Sequence, residues 1–209
     1  MDTRQLKIAG ALEFTPDVFP DDRGYFLSSF QEQEFNNSHG QPLFPVAQIS
    51  YSLSHRGVVR GVHYTATPPG TAKYVFCPRG RVLDVIVDLR VGSPTFGEWD
   101  SVELGGTDQR AVYLPVGVGH MFIVLEDDSL MNYTLSSSYV AEHELAVSPL
   151  DPALALPLPT GMQPVLSERD REAPTLAEAE SAGLLPSFET SLALDAALGG
   201  PAPVPADAR

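Results

Sequence analysis

Between Lys73 and Leu135 the chain repeats one pattern: a short run of apolar, often β-branched residues, then a turn signal, about every ten residues. The runs are Lys73–Cys77, Arg81–Leu89, Asp100–Leu104, Ala111–Leu114, Met121–Leu125 and Ser129–Leu135. Their punctuation is Pro78-Arg79-Gly80, Gly92-Ser93-Pro94, Gly105-Gly106, Pro115-Val116-Gly117 and Glu126-Asp127-Asp128. Strands this short and this evenly spaced predict a β-sandwich or barrel. Two facing sheets leave a concave interior, so a polar residue within an apolar run becomes a pocket candidate. The plainer reading of each such residue is ordinary alternation on a half-buried strand.

The flanks add to this frame. Residues 5–30 carry further strand pattern, with Asp21-Asp22-Arg23-Gly24 as a turn, and the polar stretch from Gln31 to His39 predicts a short helix. Beyond Leu150, prolines at 152, 157, 159 and 164 predict an extended connection. Ser167 and Asp170 stand at capping-box spacing, with Asp in place of the usual Glu or Gln. Thr175 and Glu178 make a better box, for a helix running to about Ala182 and stopping at Gly183. Residues 1–189 are therefore predicted to form a single domain, and the Ala-, Pro- and Gly-rich residues 190–209 a disordered tail.

The chain has 209 residues, 43% of them hydrophobic and 19% charged, which are globular values. A net charge of -14 argues against nucleic acid and anionic membranes as partners. It leaves room for a small anionic ligand held by a local cluster of cations. The one cysteine, Cys77, excludes an intramolecular disulfide and reads as a small buried hydrophobe. The residues after Met1 contain no apolar run of signal-peptide kind, and no stretch approaches about 18 apolar residues. A soluble, cytoplasmic protein is expected.

Chemistry concentrates in Val58-Val59-Arg60-Gly61-Val62-His63-Tyr64, followed ten residues after His63 by Lys73. In an unbroken strand Arg60 and His63 point to opposite faces; a bulge at Gly61 would bring both into one pocket. An imidazole suits a general base at neutral pH. Lys73 stands at the head of an apolar strand, where loss of water would make its charge strongly felt. His120 enters a strand after the glycine-rich turn 115–119, and Tyr133 lies among apolar residues. Each of these, taken alone, has an ordinary structural reading. No His-x-His pair occurs, and His39, His55 and His143 lie in polar, loop-like sequence, so no metal site is expected. Phosphate-loop, dinucleotide-binding and nucleophile-elbow signatures are also missing.

Taken in order, the segments resemble the dTDP-4-dehydrorhamnose 3,5-epimerase family, a cofactorless cupin. The markers are Phe19-Pro20-Asp21-Asp22-Arg23-Gly24-Tyr25-Phe26, Gln48, Val59–His63, Lys73, Asp84–Arg90, Gly92-Ser93-Pro94-Thr95-Phe96-Gly97, Leu114-Pro115-x-Gly117-x-x-His120-x-Phe122, Tyr133 and Leu166-Ser167-x-x-Asp170. The stretch Thr65–Lys73 and the run to Trp99 are most similar to the branch that makes deoxysugars for antibiotics, which includes the 5-epimerase of the vancosamine-type pathway.

The resemblance implies an all-β fold, a cupin jelly-roll β-sandwich with a short helical C-terminal segment. It implies a dTDP-linked 4-keto-6-deoxyhexose as substrate, no cofactor, and an enolate intermediate. His63 would be the base, supported by Asp170; Lys73 would stabilise the enolate oxygen; Tyr133 would return the proton from the opposite ring face. Arg60 and Arg23 would hold the diphosphate, with Phe26, Gln48, His120 and Tyr139 as further pocket residues. In the family the Arg-Gly-x-Phe strand reaches into a partner's site, so a homodimer is implied. Ser28 stands where the family usually has an acidic residue and Ser50 where it often has Asn, which bears on the exact substrate. Inversion of C5, alone or with C3, in a secondary-metabolite pathway is the leading expectation. Alternatives are the 3,5-epimerase of cell-wall rhamnose synthesis, a 3,4-ketoisomerase on the same scaffold, and a non-catalytic sugar-nucleotide-binding cupin.

Overall fold

A computed structural model describes residues 1–199. Four strands open the chain: β1 (Asp2–Gln5), β2 (Leu12–Thr15), β3 (Phe19–Asp21) and β4 (Gly24–Phe26). Helix α1 (Glu32–His39) leads to β5 (Gln48–Ser54) and β6 (Val59–Thr65). The regular runs follow as β7 (Lys73–Arg79), β8 (Arg81–Asp88), β9 (Trp99–Gly105), β10 (Ala111–Leu114), β11 (Val118–Val124) and β12 (Ser129–Leu135). A short 3-10 turn precedes β13 (Glu144–Ala146), and three helices close the described chain: α2 (Glu168–Arg171), α3 (Leu176–Ser181) and α4 (Phe188–Leu198).

The strands form an antiparallel six-stranded sheet in the order β1-β2-β10-β7-β12-β5 and an antiparallel five-stranded sheet in the order β13-β6-β11-β8-β9. Strands β3 and β4 pair only with each other, turning at Asp21–Gly24. This is the sandwich that the ten-residue rhythm predicts, and the all-β cupin jelly roll that the resemblance implies. Its core lies between the sheets, where Val75, Cys77 and Val112 meet Val82, Ile86 and Phe122. Both sheets are also covered outside. Residues 150–185 lay Leu154, Leu156 and Ala179 over Val85, Met121 and Ile123 of the five-stranded sheet. Phe35 and Phe44 cover Phe14, Tyr74 and Tyr113 of the six-stranded one. A strand covered on both faces buries consecutive residues, which is why β11 is buried throughout.

The capping expectations hold in part. Thr175 and Glu178 form the full reciprocal box at α3. At α2 only half a box forms: Ser167 Oγ accepts the Asp170 amide, while the Asp170 carboxylate is turned elsewhere. The expected tail needs correction over its described part. Residues 188–198 are helix, with Ser187 as N-cap. Leu194 and Leu198, four apart, pack against the aromatic cluster of the six-stranded sheet. Asp195 accepts hydrogen bonds from Tyr113 Oη and the Val116 amide, each at 3.0 Å. The Ala-rich composition concealed a helix whose one useful face has partners only in the folded chain. Residues 200–209 lie outside the described residues. No helix among the described residues is long and apolar enough to cross a membrane.

Candidate active site

Polar side chains from both sheets converge on a cavity of about 270 Å³ at one end of the sandwich. The five-stranded sheet supplies Arg60, His63, His120 and Phe122; the six-stranded sheet supplies Gln48, Ser50, Ser52, Lys73 and Tyr133. Tyr139 and Glu144 complete the rim.

Arg60 and His63 share this cavity because β6 is bulged. Arg60 is opposite Phe122 and His63 opposite His120, so two residues of β6, Gly61 and Val62, face the single Met121 of β11. Gly61 has φ +121°, and a Cβ there would come within 2.7 Å of Met121 Cα and closer still to the His120 carbonyl. Only glycine fits. The chain thus turns Val62 into the outer core while keeping both functional side chains inside.

His63 Nε2 lies 2.6 Å from Asp170 Oδ1. Burial of Asp170 works against its charge, but the His63 hydrogen bond and charge, with the Ser167 hydroxyl and the Gly61 amide, hold the carboxyl below the usual aspartate range. An ionised Asp170 fixes Nε2 as the protonated ring nitrogen, which donates to Oδ1 and leaves Nδ1 able to take a proton. The two residues are 107 apart in sequence. They meet because the Val59 amide donates to the Val165 carbonyl and the Val165 amide donates to the Gly57 carbonyl, placing α2 beside β6.

A second imidazole–carboxylate pair lies alongside: His120 Nε2 and Asp84 Oδ1 are 2.6 Å apart, and both side chains are buried. Asp84 Oδ2 has no hydrogen-bond partner among the described residues. Lys73 is half-buried at the head of β7. Loss of water pulls its pKa below the ordinary lysine range; Arg169 pushes the same way, while Glu144 and Asp84 oppose. Tyr133 stands across the cavity from the two histidines, its ring centroid 6.2 Å from that of His120. Its hydroxyl is 3.0 Å from Ser52 Oγ. Desolvation raises the phenol pKa well above its usual value, with the Ser52 hydrogen bond and the Arg60 charge opposing. Chemically, this is a base on one wall, a proton-bearing phenol on the other, and a cation beside them.

Of the residues singled out in the sequence, His63, Lys73, Tyr133, Gln48, Arg60, His120 and Tyr139 line the cavity, and Asp170 touches it through His63. Gln48 accepts the Tyr139 amide at 2.9 Å and donates to Ser50 Oγ at 2.8 Å, which joins β5 to the rim. Arg23 and Phe26 are not brought there within one chain. Arg23 sits at the exposed tip of the β3–β4 hairpin, paired with Asp21, and Phe26 is 70% exposed. Ser28 also lies outside the cavity, whereas Ser50 lines it. Sequence reasoning missed Ser52, Glu144 and Arg169. Arg169 lines a neighbouring cleft that shares Arg60 and His63 with the cavity. The alternation Gln48-x-Ser50-x-Ser52-x-Ser54 was the available signal for Ser52. No signal marks Glu144, whose carboxylate accepts from Thr65 Oγ1 only because β13 pairs with β6.

The family model described as dTDP-4-dehydrorhamnose 3,5-epimerase matches residues 5–178. A dTDP-4-dehydro-6-deoxyglucose 3-epimerase from a Streptomyces species is 48% identical over 184 residues, covering 88% of this chain and 93% of its own. A dTDP-4-dehydrorhamnose 3,5-epimerase from Mycolicibacterium smegmatis is 46% identical, covering 90% and 92%. Among solved structures, a 4-keto-6-deoxy sugar epimerase from the novobiocin biosynthetic gene cluster of Streptomyces spheroides superposes with a TM-score of 0.88 at 49% identity, over 91% of this chain and 95% of that one. A 3'-monoepimerase from Streptomyces bikiniensis, in complex with dTDP-quinovose, gives 0.89 at 45% identity, over 93% and 98%. With a cupin sandwich, a carboxylate-supported histidine, and a lysine and tyrosine in one cavity, this chain belongs to the dTDP-4-dehydrorhamnose 3,5-epimerase family.

Proposed function

We propose that the protein epimerises a dTDP-linked 4-keto-6-deoxyhexose at a carbon next to the C4 ketone. The observation that carries this reading is the placement of His63 and Tyr133 on opposite walls of one cavity, with Lys73 between the same sheets. His63 Nδ1 removes the proton α to the ketone, and Asp170 stabilises the imidazolium that forms. The electron pair moves onto the ketone oxygen, where the Lys73 ammonium stabilises the enolate. Tyr133 then delivers a proton to the other face, and the centre inverts. Arg60 and Arg169, in adjoining clefts, are the cations available to a diphosphate. A few focused cations suffice for this anion on a chain of net charge -14.

The relatives whose names give a position have C3 in common, as 3-epimerases or 3,5-epimerases. We therefore assign inversion to C3, with C5 as the second centre of a 3,5-epimerase. The novobiocin-cluster relative favours a secondary-metabolite deoxysugar over cell-wall rhamnose. A nucleotide-sugar substrate fits a cytoplasmic enzyme. A second copy of the chain completes the site: the hairpin exposes Phe19, Tyr25 and Phe26, and the edge strand β5 exposes Ile49, Tyr51 and Leu53. The test is incubation with dTDP-4-keto-6-deoxyglucose in deuterated water, followed by NMR at C3 and C5. Deuterium should enter C3 with inversion. Exchange at neither position would defeat the epimerase reading and favour a binding protein.

A further inference from the structure

Strand β5 is an edge strand whose inward face carries Gln48, Ser50, Ser52 and Ser54, while Ile49, Tyr51 and Leu53 face out. The inward residues each serve a pocket side chain. Gln48 donates to Ser50, Ser54 Oγ accepts from Arg60 Nε at 3.1 Å, and Ser52 meets the Tyr133 hydroxyl at 3.0 Å. Ser52 is the one hydrogen-bond partner of that hydroxyl among the described residues. The rings of Phe122 and His120 lie beside the phenol, at centroid distances of 6.3 and 6.2 Å, and the Arg60 charge acts on it without a hydrogen bond. If the phenol donated to Ser52, its proton would point at the strand and be unavailable to the sugar. If Ser52 donates, the phenol oxygen accepts and its own proton is free to face the cavity.

We propose that Ser52 is a positioning residue for Tyr133, donating its hydroxyl hydrogen to the phenol oxygen so that the phenol proton faces the substrate and the phenolate left behind is stabilised. The inference rests on the reading of Tyr133 as the acid. In that step the Tyr133 O–H bond breaks and a C–H bond forms at the enolate carbon. The enolate electron pair enters the new bond as the C4 carbonyl is restored, and the charge moves to the phenolate oxygen. Solvent then returns a proton to Tyr133 and takes one from His63. A phenolate in a desolvated cavity depends heavily on its one donor, because a hydrogen bond to a charged group is worth more than one to a neutral group.

The experiment measures deuterium exchange and net inversion separately, by NMR in deuterated water with dTDP-4-keto-6-deoxyglucose. It compares the wild-type chain with Ser52→Ala, Ser52→Thr, Tyr133→Phe and the Ser52→Ala/Tyr133→Phe double variant. Ser52→Ala should keep exchange within about threefold of wild type and lower net inversion about ten- to a hundredfold, the worth of one hydrogen bond to a charged group. Ser52→Thr keeps the hydroxyl and should restore inversion. In the Tyr133→Phe background the Ser52 change should add less than about twofold, since the two residues act as a unit. Unchanged inversion in Ser52→Ala, or exchange and inversion falling in equal proportion, would overturn the role of Ser52 while leaving Tyr133 as the acid. If Tyr133→Phe loses exchange along with inversion, the acid assignment fails and the Ser52 role falls with it.

Discussion

The His63–Asp170 contact is short and made by one ring nitrogen to one carboxylate oxygen, so the two residues should act together. His63→Ala or Asp170→Asn should lower turnover by about 10²–10⁴-fold, the usual worth of a positioned base. Circular dichroism should be unchanged, because His63 is partly exposed and the amide preserves the shape of Asp170. Near-normal turnover in His63→Ala would remove it as the base. Lys73 and Tyr133 should separate in the exchange assay. Tyr133→Phe keeps exchange and loses inversion, whereas Lys73→Ala loses exchange itself, because the enolate has lost its counter-charge. Asp170 also ties stability to pH. Its pKa is depressed in the fold from an ordinary 3.8, so the unfolded chain binds its proton first as pH falls. The stabilisation is complete above that ordinary value and is lost as pH drops through the lowered one. The Tm difference between wild type and Asp170→Asn should therefore be largest near neutrality and shrink on acidification below about pH 4. A difference that grew in acid would contradict the lowered pKa.

Strand β6 shows what an element contributes beyond its residues. Its sequence alternates poorly, yet the bulge at Gly61 resets the register so that Arg60 and His63 face one cavity and Val59, Val62 and Tyr64 face one core. Gly61→Ala would place a Cβ against the backbone of β11 at a positive φ. It should cost about 2–4 kcal/mol from strain and overpacking, lowering Tm by about 5–15 °C, and it should lower activity further by displacing His63. Calorimetry and turnover on the same preparation check both; a variant as stable as wild type would mean the bulge can relax. Helices α2 and α3 show how far local signals reach. The Thr175–Glu178 box forms as its spacing predicts, because it is a contact between neighbours. The Ser167–Asp170 spacing is read only halfway, since the Asp170 carboxylate is taken by a residue from another element.

At the scale of the molecule, one chain presents a cavity with His63, Lys73 and Tyr133 in place but with Arg23 and Phe26 held away on an exposed hairpin. An uncovered row of Ile49, Tyr51 and Leu53 on an edge strand is a ready surface for pairing with another copy. On the proposed dimer, in which a partner's hairpin completes the site, Leu53→Lys should yield a monomer in sedimentation analysis, with a raised KM. A variant that remains dimeric with unchanged KM would place the interface elsewhere. The acidic surface and the cationic clefts coexist because attraction of a small anion depends on the nearest few charges, whereas the net charge acts over a distance that salt screens.

The sandwich was legible along the chain, because apolar runs of strand length separated by turn residues have few ways to bury themselves. So were the candidate reactive groups, because imidazole, ammonium and phenol chemistry belongs to His63, Lys73 and Tyr133 wherever they lie. The order of the markers carried the family resemblance and, through it, the pairing of His63 with Asp170. The rest came from long-range pairing. Ser52 gains its meaning from β5 pairing with β12, Glu144 from β13 pairing with β6, and Arg169 from the segment that lays α2 against the sheet. The helix at 188–198 is settled by Tyr113, Val116 and the aromatic cluster it covers. Each of these depends on contacts between residues distant in sequence, and side-chain type and spacing along the chain do not encode which distant strand becomes a neighbour.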